Sequence, residues 1–172
     1  MSDARDTPAD DGRDDTERRD ERRTRPYTES NVIMTTVRVV SPFVLTYGLF
    51  LMFHGADSSG GGFQGGAIAA AMVIMVAFAF GIEPTSEWFT NTAVVGFAAG
   101  GVLAFLLIGL VPLLLGENFL EYTVYESALG FKKAPKYGIE GVELAIGAIV
   151  AGAISGLFFA IAESFEYEGG RQ

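Results

Sequence analysis

The sequence predicts an all-α, polytopic membrane protein, with about four transmembrane helices behind a disordered, charged N-terminal tail. Three observations carry that expectation. Hydrophobic residues fill 49% of the 172 positions, more than a soluble domain of this size usually holds. From Val32 onward the apolar residues gather in four stretches near the roughly 20 residues that a helix needs to cross hydrocarbon. Ahead of them, Met1 to Asn31 sets seven arginines against ten Asp and Glu and holds almost nothing that a core would bury.

Taken in order, residues 1–31 form the tail, 32–166 the membrane domain and 167–172 a short C-terminal tail. The tail lacks the short basic start, apolar core and small-residue cleavage site of a signal peptide. The first helix runs from about Val32 to Phe53; Arg38 lies one or two turns inside its start and can extend its charge to the headgroups, and Pro42 allows a kink. The second, Gly66 to Ile82, follows after about a dozen residues, so the two should form an antiparallel hairpin. The third, Thr92 to Leu115, carries Pro112 near its end, a place to bend or stop. The fourth, about Gly141 to Ala162, is bracketed by Glu140, Glu143 and Glu163. Trp88, Phe89, Tyr122, Tyr125, Tyr137, Phe165 and Tyr167 cluster around the helix ends, where amphipathic rings favour the interface.

Lipid tails compete equally for apolar side chains, so helices in a membrane associate through close backbone approach. Gly96, Gly100 and Ala104 recur every four residues in the third helix, and Ala148, Gly152, Gly156 and Ala160 do so in the fourth. Both series are expected to be packing seams, part used within the chain and part open to a neighbouring polypeptide. Arg18, Arg19, Arg22, Arg23, Arg25 and Arg38 lie beside the first helix, against Lys132, Lys133 and Lys136 between the third and fourth; that excess predicts both termini in the cytoplasm.

Charge and composition also exclude functions. The net charge of −9 with few lysines suits a chain kept hydrated in high salt, a halophilic trait, and argues against nucleic-acid binding, which needs a basic face. With no cysteine, the chain itself can supply no disulfide, thiolate zinc site, cysteine-held iron–sulfur cluster or cysteine nucleophile. No Ser/His/Asp set, metal-ligand cluster or paired carboxylate emerges, so no catalytic residue, metal or cofactor is expected.

Between the first two helices stands His54-Gly55-Ala56-Asp57-Ser58-Ser59-Gly60-Gly61-Gly62-Phe63-Gln64-Gly65-Gly66. Six glycines there imply positive φ angles or backbone pressed against another surface, because each glycine loses extra entropy on ordering. Gly60, Gly62 and Gly65 have the spacing of a dinucleotide fingerprint. No strand precedes them, no acidic residue follows at the required distance, and no Lys-Ser/Thr pair completes a phosphate loop, so nucleotide binding is rejected.

Ser41-Pro42-Phe43 through Leu49, Phe53-His54-Gly55, and then Gly60 through Gly66 with the alanine-rich helix behind them resemble the MnhB/MrpB-type component of the Mrp, or Mnh, multisubunit sodium/proton antiporters. Tyr137-Gly138-Ile139-Glu140-Gly141-Val142-Glu143-Leu144 is similar to the start of that family's last helix. The likeness is specific over about Ser41 to Ile82 and rests on helix count elsewhere; the long charged tail departs from the family. It implies a non-enzymatic accessory subunit in a hetero-oligomeric complex, with other subunits and membrane lipid as partners and sodium and protons moved by the whole. Related modules occur in membrane-bound hydrogenases and similar redox-driven complexes, the alternative host. A self-sufficient small channel is a third reading, weakened by the few charges inside the membrane.

His54 has two readings: a proton relay, since imidazole titrates near neutral pH, or a helix-end histidine bonded to backbone carbonyls. Glu140 and Glu143 share a face and suit a proton or cation path, or merely favour the helix's positive end. Gln64 is expected to bond exposed carbonyls and lock the loop, and Phe63 to wedge it into a groove on a partner chain. Asp57, Glu83, Glu87, Glu117, Glu121 and Glu126 read as loop acids.

Overall fold

The computed structural model of the chain describes residues 30–55, 57, 60–130 and 132–169. The charged tail up to residue 29 lies outside them. Among the described residues six helices follow in order: α1 Asn31–Phe53, α2 Gly62–Phe80, α3 Ile82–Trp88, α4 Asn91–Leu114, α5 Thr123–Leu129 and α6 Ala134–Gly169. Of these, α1, α2, α4 and α6 are long and apolar enough to cross a membrane. Most of their surface is apolar and open, as expected where lipid is the solvent.

The helices neighbour one another in the order α1, α2, α6, α4. The expected α1–α2 hairpin is present, and Arg38 of α1 lies over the Phe80 ring at the far end of α2, 5.5 Å from its centroid. α4 and α6 form a second antiparallel pair, with Gly101 against Ala145 and Gly152 against Val94 and Ala98. The two pairs join through α2 and α6, which run parallel: Gly62 meets Glu143, Gly66 meets Gly147, and Phe78 meets Phe158 edge-on at 5.6 Å.

Three boundaries differ from the sequence expectation. α2 begins at Gly62 rather than Gly66, so half of the glycine run is helix; low helix propensity is overridden because side chains there would block close packing. α6 begins at Ala134 rather than Gly141, with Pro135 in its first turn, where a missing N–H costs nothing. It also continues through Gly169, making 167–169 helical instead of tail.

Pro112 does not end α4 on the spot; the helix runs to Leu114. A proline four residues on leaves the Ile108 carbonyl without its helical donor. The Tyr125 hydroxyl of α5 donates to that oxygen at 2.7 Å. This bond and the packing of Tyr122 on Gly138 fasten the short α5, which no sequence pattern announces, across the α4–α6 pair. At the opposite end the chain reverses between α2 and α3 at Gly81, whose φ of +100° is a region that side chains resist. The Thr85 hydroxyl then donates to the Gly81 carbonyl at 2.7 Å, within the first turn of α3.

Candidate functional site

α2 starts as a two-sided glycine ridge. Its Gly65 faces α1, where an added methyl group would stand 2.5 Å from the Gly48 carbonyl oxygen; its Gly62 and Gly66 face α6, where methyls would stand 1.9 Å from the Glu143 carbonyl and 2.6 Å from that of Gly147. Backbone therefore touches backbone on both sides, and Met52 fills the gap left between Gly65 and Gly147. Among the described residues of the 54–66 segment no glycine has positive φ. Of the two reasons for so many glycines, close approach is the one that operates.

The same closeness shapes a pocket for one side chain. Glu143 projects from α6 into the turn before α2, and a methyl on Gly55 would fall 1.4 Å from its Oε2, while one on Gly61 would fall 3.0 Å from its Oε1. Glycine at 55 is thus the condition for the carboxyl group to occupy that space. Glu143 Oε2 is buried and finds no hydrogen-bond partner among the described residues. A carboxylate oxygen so placed gives up hydration there, which a proton or a cation at that atom would offset.

Polar groups lead from this pocket to the surface. Lys136, two turns earlier on α6, bonds the Asp57 carboxylate in the glycine turn, and its Nζ lies 3.9 Å from Glu140 Oε1. His54 caps α1: its Nδ1 lies 3.0 Å from the Phe50 carbonyl and its ring stacks on Phe50 at 4.2 Å. A carbonyl only accepts, so Nδ1 bears the proton, and in the neutral ring Nε2 is the free acceptor.

The Asp57–Lys136 link joins residues 79 positions apart, which no local pattern announces. From sequence Asp57 reads only as a loop acid, and Lys136 only as a charge beside the membrane. The Lys136 hydrogen bond, then its charge, hold the Asp57 carboxyl below the ordinary carboxylate range. Because the folded group is the stronger acid, its contribution is fully present above the unfolded value of about 4 and is lost as pH falls through the lower, folded value. Both partners are exposed, so the pair should add little to global stability. Its effect should be local: Lys136→Met is expected to leave the unfolding transition in place while speeding hydrogen exchange at the Asp57 and Gly60 amides. Unchanged exchange would show that the pair does not hold the turn.

The remaining expected residues fall into distinct places. Gln64 Oε1 accepts the Gly61 amide at 3.2 Å, so it closes the turn by taking a proton donor rather than by serving carbonyls. Phe63 points outward and is 62% exposed. Gly60 lies under Leu51. In α6, Gly152 and Gly156 meet α4, whereas Ala148 sits at the rim of a groove and Ala160 is exposed. In α4 the contact passes through Gly101, one residue beside the expected line. Methyls on Gly96 and Gly100 would meet nothing within 4 Å, and with Ala104 they border the open groove.

Four membrane-length helices joined through bare backbone, with a carboxyl oxygen under a glycine turn that finds no hydrogen-bond partner among the described residues, define a polytopic membrane protein with an ionisable group inside its span. Residues 32–156 match the family described as a domain related to the MnhB subunit of Na+/H+ antiporter, and the chain belongs to that family. It is similar to the protein named "Putative antiporter subunit mnhB2" of Staphylococcus aureus strain Newman, 30% identical over 98 residues, 54% of this chain and 66% of the relative. The protein of the same name in Staphylococcus haemolyticus strain JCSC1435 is 30% identical over 93 residues, 54% of this chain and 65% of the relative. The chain thus spans just under two thirds of the length of these relatives.

Proposed function

We propose that the chain is an accessory, non-enzymatic membrane subunit of a multisubunit sodium/proton antiporter, and that Glu143 is its ion-handling group. The observation that carries the second half is Glu143 Oε2, buried beneath the glycine turn without a hydrogen-bond partner among the described residues. In this reading Glu140, Lys136 and Asp57 form the mouth, and His54 exchanges protons between that mouth and water. A proton or a sodium ion arriving at Glu143 cancels the charge that the pocket itself leaves uncompensated. Family membership supports the first half. The arginines beside α1 support placing both termini in the cytoplasm, so that the glycine turn opens on the outer side.

Phe63 and the open Gly96–Gly100 groove suit contacts with other subunits, since small residues let a neighbouring helix approach closely. Deleting the gene is expected to make cells sodium-sensitive, and tagged protein purified in mild detergent is expected to bring down larger antiporter subunits. Normal salt tolerance, or co-purification of iron–sulfur or nickel proteins instead, would overturn the assignment.

A further inference from the structure

At the end of the bundle away from Glu143, α1, the last turn of α2 and α3 enclose a cleft of about 400 Å³. It is lined by Arg38, Ser41, Phe80, Thr85, Trp88 and Phe89, with Val76 and Pro84 completing its apolar floor. No acidic residue lines it: Glu83 of the same short helix borders the neighbouring pocket with Glu163. Among the described residues no carboxylate pairs with Arg38, whose guanidinium is steered by the Phe80 ring, 5.5 Å from its centroid. The Thr85 hydroxyl is committed to Gly81, leaving Arg38 as the cleft's one cation among the described residues.

Depth decides what such a cation meets. Arg38 lies seven residues beyond the start of α1, about 10 Å along the axis at 1.5 Å per residue. From there its side chain reaches back toward the headgroup layer. Trp88, 86% exposed on α3, marks that layer beside it. We propose that this cleft binds an anionic phospholipid, its phosphate held by Arg38 and its upper acyl chain laid on Phe80, Trp88 and Phe89. Charge complementarity selects the headgroup, and a guanidinium grips phosphate oxygens with two parallel N–H bonds that an ammonium does not offer. The proposal stands apart from the Glu143 site, which lies at the other end of the helices.

Trp88 is the chain's only tryptophan, so its fluorescence reports on this cleft alone. The full chain is reconstituted in phosphatidylcholine vesicles containing either brominated phosphatidylglycerol or brominated phosphatidylcholine, both of which quench tryptophan on contact. Brominated phosphatidylglycerol is expected to quench at about fivefold lower mole fraction, corresponding to about 1 kcal/mol for one basic residue at the membrane surface. Arg38→Gln should abolish the preference while Arg38→Lys keeps part of it, with helicity by circular dichroism unchanged in both. Raising ionic strength should lower the preference in the unmodified chain, a readout that needs no variant. Equal quenching by the two lipids, an undiminished preference in Arg38→Gln, or quenching by neither lipid would each overturn the proposal.

Discussion

Gly62→Ala is expected to destabilise the folded chain by at least about 3 kcal/mol, the upper end of what overpacking costs in a well-packed core. The new methyl would lie 1.9 Å from the Glu143 carbonyl oxygen and 2.7 Å from its carbon. Those atoms are backbone on a membrane-spanning helix, so no rotamer change relieves the clash, and α2 and α6 must separate. Separation also pulls Glu143 away from the glycine turn. Gly100→Ala is the matched control. Its methyl would meet nothing within 4 Å, and alanine is the better helix former by about 0.5–1 kcal/mol, so the isolated chain should be as stable or slightly more so. Denaturation of each purified variant in detergent, followed by circular dichroism, checks the pair. Equal stability of Gly62→Ala and the parent would mean that α2 and α6 do not touch as described.

Glu143→Gln is expected to reduce sodium/proton exchange to the background of vesicles lacking the complex, while assembly of the complex stays intact. Glutamine nearly matches the shape of glutamate, so the crowded space against Gly55 and Gly61 stays filled. What disappears is the ability to take up a proton or neutralise a cation. The discriminating measurement is exchange activity per assembled complex, by quenching of a pH-sensitive dye in vesicles. Full activity with normal assembly would remove Glu143 from the ion route and leave it a packing residue.

Much of the fold was legible because lipid simplifies the rule: a helix that crosses hydrocarbon must be long, apolar and nearly uncharged, and each of the four stretches met that condition. Boundaries failed where packing overrode local preference. Gly62 to Gly65 look like loop by propensity, yet they are helix, because glycine at 62 and at 65 lets α2 lie against both α6 and α1. Pro112 looks like a terminator, yet α4 passes through it because Tyr125 supplies a donor to the freed carbonyl. The periodic Gly96 and Gly100 face outward, since a small residue every four positions marks a stripe without saying what meets it.

The candidate site divides along the same line. Sequence alone determined the number of spans, the glycine turn, the lone histidine and a pair of glutamates at the start of the last helix, because each depends on residues close together in the chain. Only the tertiary structure decided that the glycine turn and Glu143, about eighty residues apart, form one pocket, that Asp57 pairs with Lys136, and that α2 rather than α1 joins the two halves. Those outcomes depend on which backbones can approach within contact distance across helices. Steric fit between distant segments settles that, and neither composition nor periodicity encodes it.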